Sequence, residues 1–327
     1  MRRREVLQIL TGAMVAAPYG AAAQTSAKTY RIGTLTVTAP IAPTDGPGAL
    51  LIAGLAQRGY ALGQNLAYET RGAAGKIGQM PNLVQELKAA NVDVVVTFGY
   101  PAAAAAKASG VATVIASGSG DPVQTGLVAS LARPGGNVTG ISDDASALST
   151  KRLGFLKAAS PQLRKVAMLW NKDDLGMTQR YDASAKAAQE IGVTVQPLGV
   201  RQPDDFNEAF DAMNRDPPDA ILMVTDVLTL LNRQRVFDYA AEHRLPAIYE
   251  QDFMARAGGL MSYGADAKET LDRAAALAAK IFSGTKPADL PFELPTRYLF
   301  VINLKTAKAM DFTVPNNVLA LADEVIE

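Results

Sequence analysis

The sequence predicts an α/β fold with two doubly wound parallel-sheet lobes joined by a multi-strand hinge. Apolar runs rich in Val, Ile and Leu alternate with amphipathic segments along most of the chain, as in parallel strands covered by helices on both faces. The alternation occurs in two successive series. The length of 327 residues also exceeds what a single hydrophobic core usually supports, so we expect two lobes.

The first series begins at Tyr30. Pro81 and Pro101 lie in the first turns of predicted helices, where proline is tolerated. Gly59 and Gly110 mark the ends of predicted helices. The predicted strands are YRIGTLTV, NLAYETRG, VDVVVTFG and VATVIASGSGD. The predicted helices lie in GALLIAGLAQRGY, the second half of IGQMPNLVQELKAANV, and PAAAAAKASG. NVTGISDD closes the series.

The second series repeats the pattern. Helices are predicted in TKRLGFLKAAS, MTQRYDASAKAAQEIG, DDFNEAFDAMNR and LTLLNRQRVFDYAAEHR. Strands are predicted in KVAMLWN, VTVQPLGV, DAILMVTD, LPAIYE and GGLMSYG. In the last of these, Gly264 is interpreted as the point where the strand ends and the chain turns.

The carboxyl-terminal part of the chain interrupts this alternation of strands and helices. A helix in KETLDRAAALAAKIFSG precedes the proline-bearing stretch KPADLPFELPT and the strand-to-helix segment YLFVINLKTAKAM. A chain that returns to the first lobe and then to the second would need such extra pieces. We therefore expect the first lobe at residues 28–140 plus about 264–295, and the second at 141–263 plus about 296–327.

Residues 1–23 are predicted to be an export signal. MRRRE is basic, VLQILTGAMVAAPYG is apolar, and three alanines precede Gln24 as a small-residue cleavage site. The consecutive arginines ahead of Val6 and Leu7 favour the twin-arginine route, with a general secretory signal as the alternative. The expected mature protein is soluble and periplasmic. It has no cysteine for a lipid anchor.

The composition excludes several classes of function. The 32 basic residues balance the 32 acidic ones, which argues against a nucleic-acid partner. Absence of cysteine rules out disulfides and thiolate nucleophiles, and His243 is the only histidine, so a metal site or a catalytic dyad is not expected. No triphosphate-binding or dinucleotide-binding glycine motif is found. We expect no cofactor, no metal and no enzymatic activity.

Polar and aromatic residues gather at the carboxyl ends of the predicted strands in both series. Open parallel sheets bind ligands beyond these ends, so two lobes facing each other along them would close over one small molecule. The candidate ligand-binding residues are Thr36, Thr38, Thr97, Phe98, Gly99, Tyr100, Ser119, Asp121, Asn171, Asp226, Tyr249 and Tyr263.

These residues suggest a charged ligand. Helix amino-termini near Gly99 and Ser119 could accept a ligand carboxylate, and Asp121 and Asp226 could pair with a ligand amino group.

Five of these positions have a structural alternative. Thr97, Ser119 and Asp226 could be helix caps, Asp121 could be a turn residue, and Tyr263 could form a hydrogen bond across the hinge.

Four stretches resemble a known family: VDVVVTFGYPAAAAAK, SGSGDPVQTGLVASLARPGGNVTGIS, LPAIYEQDFMARAGGLMSYG and KPADLPFELPTRYLFVINLKTAKAM. They are similar to ABC-transporter substrate-binding proteins of the tryptophan/tyrosine-binding type, which have the type I periplasmic binding protein (Venus-flytrap) fold. The resemblance implies a ligand cleft at Thr97 to Tyr100, at Ser119 and Asp121, at Asp226, and around Tyr249 and Tyr263.

The sequence departs from that family in two places. The loop TVTAPIAPTDGPGA is proline-rich, and Phe98 and Tyr100 stand where small residues are more usual. A smaller aromatic acid or a branched amino acid is therefore considered beside tryptophan and tyrosine.

We expect a monomeric receptor that captures a small carboxylate-bearing ligand, an aromatic amino acid or aromatic acid, by domain closure and delivers it to an ABC permease in the inner membrane. One alternative is a ligand-sensing subunit of a membrane signalling protein. Another is a two-lobe hydrolase or isomerase that uses Asp121 and Asp226 as acid and base.

Overall fold

A computed structural model of the protein describes residues 28–142 and 144–327. The predicted export signal at residues 1–23 lies outside these ranges. The strands are β1 (Tyr30–Thr36), β2 (Leu66–Gly72), β3 (Val94–Phe98), β4 (Thr113–Ser117), β5 (Val138–Gly140), β6 (Lys165–Asn171), β7 (Thr194–Val200), β8 (Ala220–Met223), β9 (Ala247–Tyr249), β10 (Met261–Ala265), β11 (Tyr298–Asn303) and β12 (Glu324–Ile326).

Helices separate most of these strands. They are α1 (Gly46–Ala56), α2 (Met80–Ala89), α3 (Tyr100–Ser109), α4 (Ala145–Ala159), α5 (Leu175–Glu190), α6 (Asp205–Arg215), α7 (Val227–Leu231), α8 (Arg233–Glu242), α9 (Asp252–Arg256), α10 (Ala267–Phe282), α11 (Leu304–Ala309) and α12 (Asn316–Leu319).

The strands form two separate sheets, which confirms the predicted fold class. The first lobe has the order β2-β1-β3-β4-β5, and the second has β12-β11-β10-β9-β8-β6-β7. Every pairing in the first sheet is parallel. In the second sheet β10 and β11 run antiparallel, because β11 enters from the hinge in the opposite direction.

Alternating side chains bury both faces of each sheet. In β3, Val94 and Val96 pack against α1 and α10 on one face, while Val95 packs against α2 and α3 on the other. In β6, Met168 and Leu169 divide between two clusters in the same way. Successive strand side chains point to opposite faces, so these continuous apolar runs require helices on both sides.

The chain crosses between the lobes more than once. Helix α10 packs against α1 of the first lobe and is joined to it by an ion pair between Arg58 and Asp272 at 2.7 Å. The segment after α10 pairs with the end of β5, where Glu293 N donates to Gly140 O at 3.0 Å and Ser142 N donates to Glu293 O at 2.8 Å. The chain then returns to the second sheet as β11. These adjacent crossing segments form the hinge.

Two local expectations were wrong. The single helix expected in LTLLNRQRVFDYAAEHR is divided into α7 and α8 at Asn232, whose side-chain amide donates to Leu228 O at 2.9 Å. Strand β10 also continues through Gly264 instead of turning there. A Cβ atom at Gly264 would lie 1.8 Å from Glu250 O, so the glycine permits close approach of the chain after β9.

Candidate ligand site between the lobes

The carboxyl ends of the two sheets face each other, and the lobes touch on one side of the gap between them. The turn after β4 in the first lobe meets the first turn of α5 in the second. There the position of a Cβ on Gly176 lies 3.0 Å from Ser119 O. Nearby, Asp121 N donates to Gln179 Oε1 at 3.3 Å.

A second contact joins the two lobes on the other side of the gap. Val227, the first residue of α7 in the second lobe, is buried in a cluster with Val37 and Ala73 of the first lobe. Leu231 lies 3.9 Å from the position of a Cβ on Gly75. With contacts on both sides, the two lobes are in a closed arrangement.

A cavity of about 160 Å³ lies between the lobes beside the hinge. Phe98, Ile141, Leu148 and Leu271 supply apolar parts of its wall, so they come from both lobes and from the hinge. Its charged wall contains Arg152, Arg180 and Glu250. A mainly apolar pocket with a few convergent polar groups is the usual form of a small-molecule site.

The charged wall is a buried ion-pair cluster centred on Glu250. Its carboxylate accepts from Arg152 Nη1 at 3.0 Å, from Arg180 Nη1 at 2.5 Å and from Thr225 N at 3.0 Å. Arg152 Nε also donates to Tyr263 O at 2.7 Å. All three charged side chains are less than a tenth exposed. Because buried charges are tolerated only with such partners, α4, α5 and β9 are held together at the cavity.

An acidic edge follows β6 and β8. Asn171 Nδ2 donates to Asp226 Oδ2 at 2.6 Å, and Asp226 Oδ1 accepts from Thr229 N at 2.9 Å as the cap of α7. Asp174 caps α5 by accepting from Met177 N at 3.2 Å. Burial, with a further contribution from the charge of Asp226, raises the pKa of Asp174 to about 6.

The predicted residues that end β1 and β3 all lie at the first lobe's carboxyl edge. Phe98 lines the cavity. Thr36 and Thr38 share a hydrogen bond of 2.9 Å between their hydroxyls. Thr97 is fully buried, and its hydroxyl has no hydrogen-bond partner among the described residues. It does not cap α3, because that position is taken by Gly99 with φ of 94°.

Of the remaining first-lobe candidates, Ser119 and Asp121 lie at the interlobe contact, and Tyr100 packs within the first lobe. Tyr100 begins α3 and packs toward the cluster that contains Leu127. Ser119 is buried, and its hydroxyl donates to Gly120 O at 3.2 Å. Asp121 Oδ1 accepts from the backbone N–H groups of the next turn at 2.8 and 3.0 Å, which is the turn role considered from sequence.

The two predicted tyrosines of the second lobe lie outside the cavity wall. The ring of Tyr249 packs edge-on against Phe237 inside the core, and burial raises its pKa. Tyr263 packs against Phe155 and accepts a hydrogen bond from Lys151 Nζ at 3.2 Å. Neither side chain is part of the cavity wall.

Comparison with known proteins places the chain in a family. A family model described as ABC transporter substrate binding protein matches residues 47–326. The protein belongs to this family.

Individual proteins are also similar to this chain. A tyrosine-binding protein of Clostridioides difficile is 26% identical over 261 residues, covering 80% of this chain and 75% of the relative. The crystal structure of an ABC domain in complex with L-Trp from Streptococcus pneumoniae has a TM-score of 0.82 at 24% identity, covering 91% of this chain and 100% of that one. The ligand-free, open structure of a substrate-binding protein with adhesive properties from Clostridium difficile has a TM-score of 0.66 at 22% identity, covering 91% and 99%. The predicted family resemblance is confirmed.

Two further features of this substrate-binding protein concern its described residues. No helix in residues 28–142 and 144–327 has the length and apolar character needed to cross a bilayer. Within the same ranges, no group of three or more acidic or histidine side chains is placed to hold a metal ion.

Sequence reasoning missed the charged wall of the cavity. Glu250 directly follows an apolar strand, as Asp226 does, and this was the available indication. Arg152 and Arg180 lie within helices, where arginine ordinarily faces solvent. Only the packing of α4 and α5 against the second sheet brings both to Glu250.

Proposed function

We propose that this protein is the extracytoplasmic binding subunit of an ABC importer, and that it captures an aromatic amino acid or aromatic acid between its lobes. The observation that supports this proposal most is the interlobe cavity whose wall contains Phe98 from the first lobe and Arg152 and Arg180 from the second. A ligand seated there contacts both lobes at once and favours the closed arrangement. The protein acts as a periplasmic monomer, performs no covalent chemistry and releases its ligand to a membrane permease.

The size of the cavity suits one aromatic ring. An apolar cavity of roughly 150 Å³ holds benzene, and the cavity here has about 160 Å³. Phe98 offers a face for stacking, which adds roughly 1 kcal/mol to the burial of a ring. The tyrosine-binding and L-Trp-bound relatives agree with a ring-bearing ligand.

The charges near the cavity suit a ligand with a carboxylate and an ammonium group. Guanidinium groups such as those of Arg152 and Arg180 recognise carboxylates in a planar, directional way. Asp174 interacts electrostatically with both Arg180 and Asp226, so the acidic edge adjoins the arginine wall. An amino acid carries its carboxylate and ammonium groups close together, which suits a positive wall that adjoins an acidic edge.

Domain closure supplies the mechanism. Shifting the lobes from mostly open to mostly closed needs about 5 kcal/mol of preference for the closed form. Hydrogen bonds to a charged group at about 2 kcal/mol each, together with burial of a ring at about 2 kcal/mol, reach that value.

Calorimetry on protein that has been unfolded, stripped of carried-over ligand and refolded tests this proposal. Titration with L-tyrosine, L-tryptophan, L-phenylalanine and benzoate should give a saturable heat with at least one of them. Phe98→Ala should weaken that binding by about tenfold, since about 1.4 kcal/mol of ring contact is lost. Phe210→Ala is the matched control, because Phe210 is also half-buried but packs beside Tyr239, away from the cavity. Absence of heat with all four compounds would contradict the proposal.

A further inference from the structure

Two glycines meet where the lobes touch. Gly120 follows β4 in the first lobe, and Gly176 lies in the first turn of α5 in the second. A Cβ on Gly120 would lie 2.8 Å from Gly176 Cα, and a Cβ on Gly176 would lie 3.0 Å from Ser119 O and 3.2 Å from Gly120 N. The contact is thus between two backbones, which cannot yield as a flexible side chain can.

The local backbone conformation at Gly176 does not require glycine. It lies in a regular helix and does not have the positive φ that favours glycine. Alanine is the better residue within a helix. Gly120 differs, because its φ of 67° already favours glycine whatever lies nearby. The contact with the other lobe opposes this local preference at Gly176.

The start of α5 also leads to the cavity. Gln179, one turn further on, accepts the hydrogen bond from Asp121 N of the first lobe at 3.3 Å. The next residue, Arg180, donates to Glu250 in the cavity wall at 2.5 Å. One short stretch of helix therefore touches both the opposite lobe and the charged wall, although Gly176 itself does not line the cavity.

We propose that Gly176 determines how readily the lobes close: its missing side chain lets the Ser119–Gly120 backbone seat on the first turn of α5. This inference rests on the proposed function, in which closure retains the ligand. A side chain at position 176 disfavours the closed form and leaves the open form unaffected or more stable. Ligand affinity then falls because fewer molecules reach the closed form.

Disulfide trapping measures closure without any ligand. The chain has no cysteine of its own, so a cysteine pair can be placed at the other interlobe contact, as Val37→Cys with Val227→Cys. Neither residue has a positive φ, and in the closed form both side chains belong to one buried cluster that spans the two lobes. The rate of disulfide formation under a fixed oxidant then reports the population of the closed form.

Adding Gly176→Ala to this cysteine pair should slow trapping by about tenfold, as expected for overpacking of a tight contact. Thermal unfolding of the reduced protein should be unchanged or shifted upward. The matched control is Gly154→Ala, another glycine-to-alanine change inside a helix, where nothing lies within 4 Å of the new Cβ. It should leave the trapping rate unchanged. Equal trapping rates for the two alanine variants would overturn the inference.

A further variant covers the case in which Gly176→Ala lowers the unfolding temperature. Gln179→Ala removes the hydrogen bond to Asp121 N without adding atoms to the contact, and it should also slow trapping. An unchanged rate in Gln179→Ala, together with a destabilised Gly176→Ala, would refute the role assigned to this contact. The proposed function fails separately, if the wild-type protein binds none of the amino acids or aromatic acids while the trapping rates still differ.

Discussion

Replacing Glu250 by glutamine removes the negative charge on which Arg152 and Arg180 converge. The carboxylate is 3.0 Å from one guanidinium and 2.5 Å from the other, and all three side chains are almost fully buried. Glutamine keeps the shape and can still accept a hydrogen bond from Thr225 N. It cannot neutralise two cations. The change therefore tests the electrostatic role of the cluster and not its packing.

The expected loss of stability is large. Breaking a buried ion pair by removing one partner costs about 3–5 kcal/mol, because a buried charge loses its compensation. Glu86→Gln is the control, since Glu86 also pairs with an arginine, Arg71 at 2.7 Å, but its side chain is 55% exposed. Exposed pairs contribute about 0–1 kcal/mol. The difference between the two variants should thus be about 3 kcal/mol.

Urea unfolding followed by circular dichroism at pH 7 measures both variants. The transition midpoint of Glu250→Gln should fall well below that of the wild type, and that of Glu86→Gln should stay close to it. Ligand binding by Glu250→Gln should also weaken, because the cavity wall loses its fixed geometry. A free energy of unfolding for Glu250→Gln no lower than that for Glu86→Gln would refute the reasoning.

Three further changes have definite expected results. The raised pKa of Asp174, about 6 against an ordinary 3.8, means that the folded protein binds this proton more tightly, so the free energy of unfolding should fall by about 2 kcal/mol as pH rises from about 4 to about 6. Urea titrations across that range should show no such fall in Asp174→Asn. Gly264→Ala places a Cβ 1.8 Å from Glu250 O and should lower the melting temperature strongly, whereas Gly136→Ala, with nothing within 4 Å, should not. Asp226→Ala removes the cap of α7 and should cost about 1 kcal/mol in thermal unfolding, whereas Asp226→Asn should retain most of the capping energy.

The candidate site could be predicted from sequence only in part. Phe98, at the end of a predicted strand, lines the cavity between the lobes. Tyr249 does not line the cavity, because the last residue of a strand can point to either face, and sequence alone does not say which. Its neighbour Glu250 points to the cavity instead. Asp121 and Asp226 proved to have the turn and cap roles that were considered beside ligand binding.

Periodicity within short windows determined the α/β class, the order of most strands and helices, and the edge where polar groups gather, because these depend on interactions between near neighbours in the chain. A break in that periodicity also predicted that the chain returns to the first lobe after β10. Tertiary structure alone decided the meeting of Arg152, Arg180 and Glu250, and the approach of Gly176 to Ser119. Each joins residues far apart in sequence, and their separation depends on how whole helices pack and on how the two lobes close. No local pattern encodes such a distance.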